Sequence, residues 1–255
     1  MKPRALVPLL WLPILAGCDL GAAAVGGPAL GAPSIARPPE PTPAPQNDDP
    51  VAPPPPGPTY RATVDHLYLP LAPGARWVYE GEQDGVPRHE ETRVLAQRRT
   101  ILGVSCTTVV EEVTDDGELV EVTRTWLAQD TAGNVWRFGE ESVEYEDGQP
   151  VAGGDSWEAG VDGARPWIVL AADPRAGDVY SGNRAGGWDQ VNVVSLSESA
   201  TVPAGSFEGC LATVETNPDD PEDADRIIYA PGLGLVSERS TAGAIELVAY
   251  FAPGS

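Results

Sequence analysis

Val104-Ser105-Cys106-Thr107-Thr108-Val109-Val110-Glu111-Glu112-Val113-Thr114 runs into Asp115-Asp116-Gly117 and returns through Glu118-Leu119-Val120-Glu121-Val122-Thr123-Arg124-Thr125-Trp126-Leu127. Both arms are rich in β-branched residues and alternate apolar with polar side chains, the period of a half-buried strand. Between them stands Asp-Gly, a dipeptide that accepts two successive positive φ angles and so closes a two-residue hairpin. The same signature recurs on either side. Asp84-Gly85 separates 76–82 from 88–97, and Asp147-Gly148 divides 142–146 from 149–152. Asp130-Thr131-Ala132-Gly133-Asn134 separates the 118–127 arm from 135–139.

Gly153 to Trp167 breaks this rhythm and reads as a long ordered loop. Ile168-Val169-Leu170, a turn over 173–178 and strands near 189–198, 207–216, 226–230, 234–239 and 244–251 follow. No window keeps a helical period; a short helix is expected only at Pro221-Glu222-Asp223-Ala224-Asp225. Some twelve short consecutive strands predict a mainly β fold, a large curved antiparallel sheet or open half-barrel meander, with a β-sandwich as the alternative. Trp77, Trp126, Trp136, Trp157, Trp167 and Trp188 are the natural cover for one face, as core or as the lining of a concave pocket.

The chain starts with Lys2 and Arg4, an apolar run from Ala5 to Leu15, and then Leu15-Ala16-Gly17-Cys18. A basic start, a short apolar core and small residues before a cleavage point make an export signal, and the core is too short to span a bilayer. It resembles the bacterial lipoprotein signal. That resemblance implies removal of residues 1–17, acylation of the Cys18 sulfur and acylation of the new amino terminus. Two or three chains hold stably, because each buried methylene contributes about 0.8 kcal/mol. Asp19 resembles the inner-membrane retention signal of enteric lipoproteins. The expected location is the bacterial cell envelope, lipid-anchored on its periplasmic or extracellular face, with either membrane open.

Residues 18–58 form the lipidated terminus and a linker: thirteen of the forty positions from 19 to 58 are proline, with Ala and Gly filling much of the rest. Such a composition buries too little apolar surface to fold and acts as a spacer reaching between roughly 35 Å and about 100 Å. Residues 59–255 remain as one β-rich domain.

Lys2 is the sole lysine, so the mature chain sets 14 arginines against 38 acids, a net formal charge of −24. That charge excludes nucleic acid as a partner and repels an anionic lipid surface. Contact with the membrane is expected through acylated Cys18 alone. Cys106 and Cys210 remain in an oxidising compartment and are expected to pair. The closed loop of about 100 residues would contribute at most about 4–5 kcal/mol.

The domain also resembles a set of uncharacterised exported bacterial β-rich proteins, through Trp126-Leu127-Ala128-Gln129-Asp130, Gly133-Asn134-Val135-Trp136, Trp157-Glu158-Ala159-Gly160-Val161-Asp162-Gly163-Ala164 and Tyr229-Ala230-Pro231-Gly232-Leu233-Gly234-Leu235-Val236. The last motif is similar to a turn and strand in the half-barrel of lipoprotein carriers, and implies a fold rather than an activity.

No catalytic constellation emerges. Without lysine, Schiff-base, Ser-Lys and P-loop chemistry are excluded. His89-Glu90-Glu91-Thr92-Arg93 starts as a zinc helix would but ends in Arg where the second His belongs, which leaves His66 and His89 without a motif. Ser206 follows a turn into a strand instead of a nucleophile elbow. Paired acids abound, yet spacing singles out no two. Glu80-x-Glu82-x-Asp84-Gly85 with Glu91 matches the spacing of a calcium loop, but its strand-like flanks and Pro87 favour a hairpin turn. Asp219-Asp220-Pro221-Glu222-Asp223 with Asp225 reads as a solvated loop. No metal, cofactor or catalytic residue is expected. The function expected is that of a membrane-anchored lipoprotein whose domain, of open oligomeric state, binds an apolar ligand or an envelope protein without catalysis. An envelope hydrolase and a structural or assembly component are the alternatives.

Overall fold

Among the described residues, two-residue turns join consecutive strands at Asp84-Gly85, Leu102-Gly103, Asp116-Gly117 and Asp147-Gly148. Their φ values are 49° and 78°, 49° and 80°, 50° and 83°, and 52° and 70°. Two successive positive φ angles make the turn whose twist matches that of paired strands. The computed structural model describes residues 60–151, 156–184, 187–217 and 220–254. Cys18, the leader and the linker lie outside them, as do Asp219 and the side chains of 220–223 in the acidic cluster.

A small hairpin comes first, β1 (Val64–His66) with β2 (Leu69–Leu71). One run of strands follows: β3 (Arg76–Gln83), β4 (Val86–Ile101), β5 (Val104–Asp115), β6 (Glu118–Gln129), β7 (Val135–Glu146), β8 (Gln149–Val151), β9 (Trp157–Glu158) and β10 (Trp167–Leu170). A second run is β11 (Val179–Arg184), β12 (Gly187–Val202), β13 (Gly205–Asn217), β14 (Asp220–Ala230), β15 (Gly234–Arg239) and β16 (Gly243–Phe251). Every pairing is antiparallel, and no helix occurs among the described residues.

Fourteen of the strands form one sheet in the order β10-β7-β6-β5-β4-β3-β16-β15-β14-β13-β12-β11, with β8 and β9 also on β7. The two runs join where β16 pairs with β3, through Leu247↔Tyr79 and Ile245↔Gly81. This leaves β10 and β11, consecutive in the chain, at opposite ends of the strand order. The sheet curls until they meet: a Cβ on Gly182 would lie 2.2 Å from the Trp167 ring. No ladder joins them, so the sheet is curved and open. The sandwich alternative fails, because a single sheet supplies both faces of the core.

The core fills the fold with Trp77, Phe138, Leu127, Leu211, Leu247 and their neighbours. Irregularities at Val193/Ser195, Ser195/Glu198 and Glu198/Ala200 bend the β12–β13 hairpin. Its tip reaches β16, where the Ala204 amide donates to the Leu247 carbonyl at 3.0 Å.

Two expectations are corrected. Residues 221–225 belong to β14 instead of a helix, since pairing with β13 outweighs their weak local preference. Cys106 and Cys210 are both free and buried. Cys106 lies in β5, where its thiol donates to the Val104 carbonyl at 3.6 Å, and Cys210 lies in β13 opposite Glu198 of β12. Unfolded without reductant, the domain should take up an alkylating agent at both thiols, seen as two adducts in the intact mass; an unmodified pair would contradict the fold. Gly182→Ala should destabilise by about 1–3 kcal/mol through overpacking on Trp167, lowering the melting midpoint by about 2–4 °C for each kcal/mol.

Candidate functional site

Strand alternation sends every second side chain inward, and the register decides which of them meet. One inward row runs Tyr79–Glu90–Val113–Glu121 across β3, β4, β5 and β6; the next runs Trp77–Thr92–Glu111–Thr123. On the other half of the sheet Asp225 pairs with Glu215, and Glu238 with Ile227. The curl brings the halves face to face. The result is a belt of buried acids around an interior that the sequence suggested would be apolar.

Two buried arginines serve this belt among the described residues, Arg88 and Arg137. Arg88 grips Asp115 with two hydrogen bonds of 2.8 and 2.6 Å and lies 3.6 Å from Glu90. Arg137, with no exposed surface, donates to Glu140, which also accepts from the Trp157 indole at 3.2 Å. Glu121 accepts from Thr123 at 3.0 Å and Ser142 at 2.5 Å. Burial disfavours the ionised form of each acid. It pushes Glu90 up to about 8, against the pull of Arg88. It pushes Glu121 to about 7 despite its two hydroxyl donors. Glu215 rises to about 8 through burial reinforced by Asp225 and Asp189, and Glu238 rises well above the usual carboxylate range for the same kind of reason.

The opposite character appears beside β2. A small half-open apolar cleft, enclosing about 20 Å³, is lined by Leu69, Leu71, Trp77, Tyr79 and Leu235, with Pro70, Thr92 and Gly234. The polar tips of its aromatics are already used: the Trp77 indole donates to the Leu233 carbonyl at 2.8 Å and the Tyr79 hydroxyl to the Leu235 carbonyl at 3.1 Å. Only their apolar faces remain for a ligand. Gly234 stands at the rim with φ 104°, a backbone conformation that favours glycine, and a Cβ there would only touch Trp77 and Pro70 at ordinary distance.

The residues singled out by sequence do not gather. Both ring nitrogens of His66 are taken by backbone, Nε2 by the Ala171 carbonyl at 2.9 Å and Nδ1 by the Tyr68 amide at 3.2 Å. Burial holds that histidine below its ordinary range. His89 is half-exposed beside Glu80. The calcium-like stretch is the β3–β4 hairpin, and its Glu91 belongs to Arg76, 2.6 Å away. Ser206 meets Thr201 on the surface. Among the described residues no group of three His, Cys, Asp or Glu is placed to hold a metal ion. Trp77 lines the cleft, Trp126, Trp157 and Trp167 are core, and Trp136 is half-buried, its indole on Asp130 at 2.9 Å. The side chain of Trp188 lies outside the described residues.

No family model matches the chain, and no curated protein matches it. Among solved structures, a crystal structure from Parabacteroides distasonis described as that of a "putative lipoprotein" is similar over 73% of this chain and 99% of its own, at 15% identity and a TM-score of 0.40. That similarity is too slight to define a shared fold.

Arg137→Met should cost about 3–5 kcal/mol in urea unfolding, because it strands the Glu140 carboxylate in the interior. Adding Glu140→Gln should recover part of that loss.

Proposed function

We propose that this chain is a lipid-anchored envelope lipoprotein whose domain is a non-enzymatic binding module, taking the apolar portion of an envelope ligand in the cleft beside β2. The observation that carries the binding half is the cleft: apolar walls, aromatic faces whose polar tips are already satisfied, and an open side. The space it encloses, about 20 Å³, is far smaller than a whole small-molecule pocket, so it takes only the tip of an apolar group. It suits an alkyl or aryl group and not a whole lipid. The acids with raised affinity for protons do not argue for a hydrolase, because Glu90, Glu121 and Glu215 are sealed from solvent.

The anchoring half rests on Leu15-Ala16-Gly17-Cys18 and the proline-rich stretch behind it. The 14 arginines and 38 acids of the mature chain keep the domain itself off an anionic surface. Cys18 then supplies the contact and the linker sets the stand-off.

Metabolic labelling with a palmitate analogue should mark the mature protein, and Cys18→Ser should abolish the label and release the chain from membranes. The released variant should bind a fluorescent apolar probe such as N-phenylnaphthylamine, and Leu69→Trp, which fills the cleft, should weaken that binding about tenfold or more, or roughly 1.4 kcal/mol. Membrane retention of the serine variant would refute the anchor, and equal probe binding by the tryptophan variant would refute the cleft.

A further inference from the structure

We propose that the β1–β2 hairpin is a lid on the apolar cleft, latched by the neutral form of His66, and that a proton on this histidine unlatches the lid and loosens the hold on a ligand. The latch is read from hydrogen bonds; only its effect on a ligand rests on the reading of the cleft given above.

His66 ends β1 and is the register partner of Leu69, which begins β2. The three residues of β2, Leu69, Pro70 and Leu71, form one wall of the cleft. The His66 side chain is buried and makes two bonds of opposite sense. A carbonyl can only accept, so Nε2 donates to Ala171, at 2.9 Å in the segment that leaves β10. A backbone amide can only donate, so Nδ1 accepts from Tyr68, at 3.2 Å in the hairpin turn. These partners fix a neutral ring with its proton on Nε2. A second proton would enter at Nδ1 and set donor against donor. It would also strip the Tyr68 amide of its acceptor.

The rest of the lid is held by backbone, amide and phenol groups and by apolar burial. The Asp65 amide donates to the Gln129 side chain at 2.6 Å, and the Gly232 amide to the Leu67 carbonyl at 2.6 Å. The Tyr68 hydroxyl donates to the Gly209 carbonyl at 3.3 Å. Val64, Leu69 and Leu71 bury their side chains in the core. These contacts set how seldom the lid opens, and His66 sets how that opening depends on pH.

Charged groups on the surrounding elements have partners of their own. Asp65, beside His66 on β1, lies 3.1 Å from Arg61. At the end of β6, Asp130 accepts from Gly133, Asn134 and Trp136. Past Ala171, Asp173 meets Arg175, and Asp178 accepts from the Tyr180 hydroxyl at 3.0 Å. Burial, working against the Ala171 bond and the charge of Asp65, holds His66 below its ordinary value of 6.5.

The folded ring thus binds a proton less tightly than the freed ring. The latch contributes fully above about pH 6.5, and its contribution is lost as pH falls from there through the folded value. Glu90, Glu121 and Glu215, held high, have the opposite sign and gain stability over the same fall. A melting midpoint would mix the two effects. Local opening of the hairpin separates them.

The test is hydrogen exchange of the mature lipidated protein in detergent at pH 7 and pH 5, corrected for the intrinsic effect of pH. Amides of 64–71 should open about threefold to thirtyfold more often at pH 5, the ceiling being set by the ordinary value of 6.5. Protection in β12 and β13 should not fall. His66→Gln, whose side chain donates and accepts but takes no proton, should abolish the change, and His89→Gln on half-exposed β4 should keep it. In the detergent-free Cys18→Ser chain, N-phenylnaphthylamine should bind about threefold or more weakly at pH 5 than at pH 7, and adding His66→Gln should level the two. Equal opening at both pH values, or the same rise in His66→Gln, would overturn the latch. Probe binding that holds level while the hairpin opens would overturn its role as a lid. No probe binding at pH 7 would sink the cleft reading and leave exchange to decide the latch. Should His66→Gln fold poorly, the unaltered protein decides: a rise confined to 64–71 supports the latch, and one shared equally by β12 and β13 refutes it.

Discussion

A single sheet folded onto itself must satisfy every inward side chain from within. Among the described residues the concave face is covered by the other half of the same sheet and by the β1–β2 hairpin, whose Val64, Leu69 and Leu71 join the core. In this chain the inward rows carry Glu90, Glu111, Glu121, Glu215, Asp225 and Glu238, all buried. A buried carboxylate costs several kcal/mol unless paired, and a paired one still gives back most of what it gains. Hydroxyl donors from Thr123 and Ser142 accommodate Glu121, Arg88 lies beside Glu90, and burial raises the proton affinity of both acids.

Tyr79 marks the boundary between the two characters of the interior. Its ring lines the apolar cleft beside Leu69 and Leu235, and burial, with the nearby Glu111, Glu90 and Glu238, raises its hold on its proton. The hydroxyl donates to the Leu235 carbonyl. Leu247, paired with Tyr79 in the sheet, also receives the tip of the bent β12–β13 hairpin. Cleft, belt and hairpin tip share one rung of the structure.

The strands were legible because turn chemistry announces them. Asp84-Gly85, Asp116-Gly117 and Asp147-Gly148 close hairpins where expected, and Gly234–Arg239 matches the anticipated strand. The missed turn, Leu102-Gly103, has the same geometry but carries Leu where Asp or Asn would have signalled it. The end-to-end order was not legible, since nothing local tells β16 to pair with β3. The buried acids escaped notice for a related reason. Along 107–114 both faces mix apolar and polar residues, so alternation could not tell that Glu111 points in while Glu112 meets Arg93 at the surface. The cysteines misled because loop length and compartment say nothing about the strands that come to stand between two thiols.

The absence of lysine after Lys2 sharpens the division between the two faces. Most arginines sit outside, where Arg76 meets Glu91, Arg93 meets Glu112, Arg124 meets Glu141 and Arg226 meets Glu198. Exposed pairs of this kind contribute about 0–1 kcal/mol each and lose strength in salt. They lace neighbouring strands without determining which strands are neighbours. Inside, the cation supply stops at Arg88 and Arg137 among the described residues. A more basic interior would have fixed the acids as salt bridges, insensitive to pH near neutrality. Burial outweighs even the pull of Arg88 on Glu90, and Glu90, Glu121 and Glu215 all hold their protons more tightly than an ordinary carboxyl does.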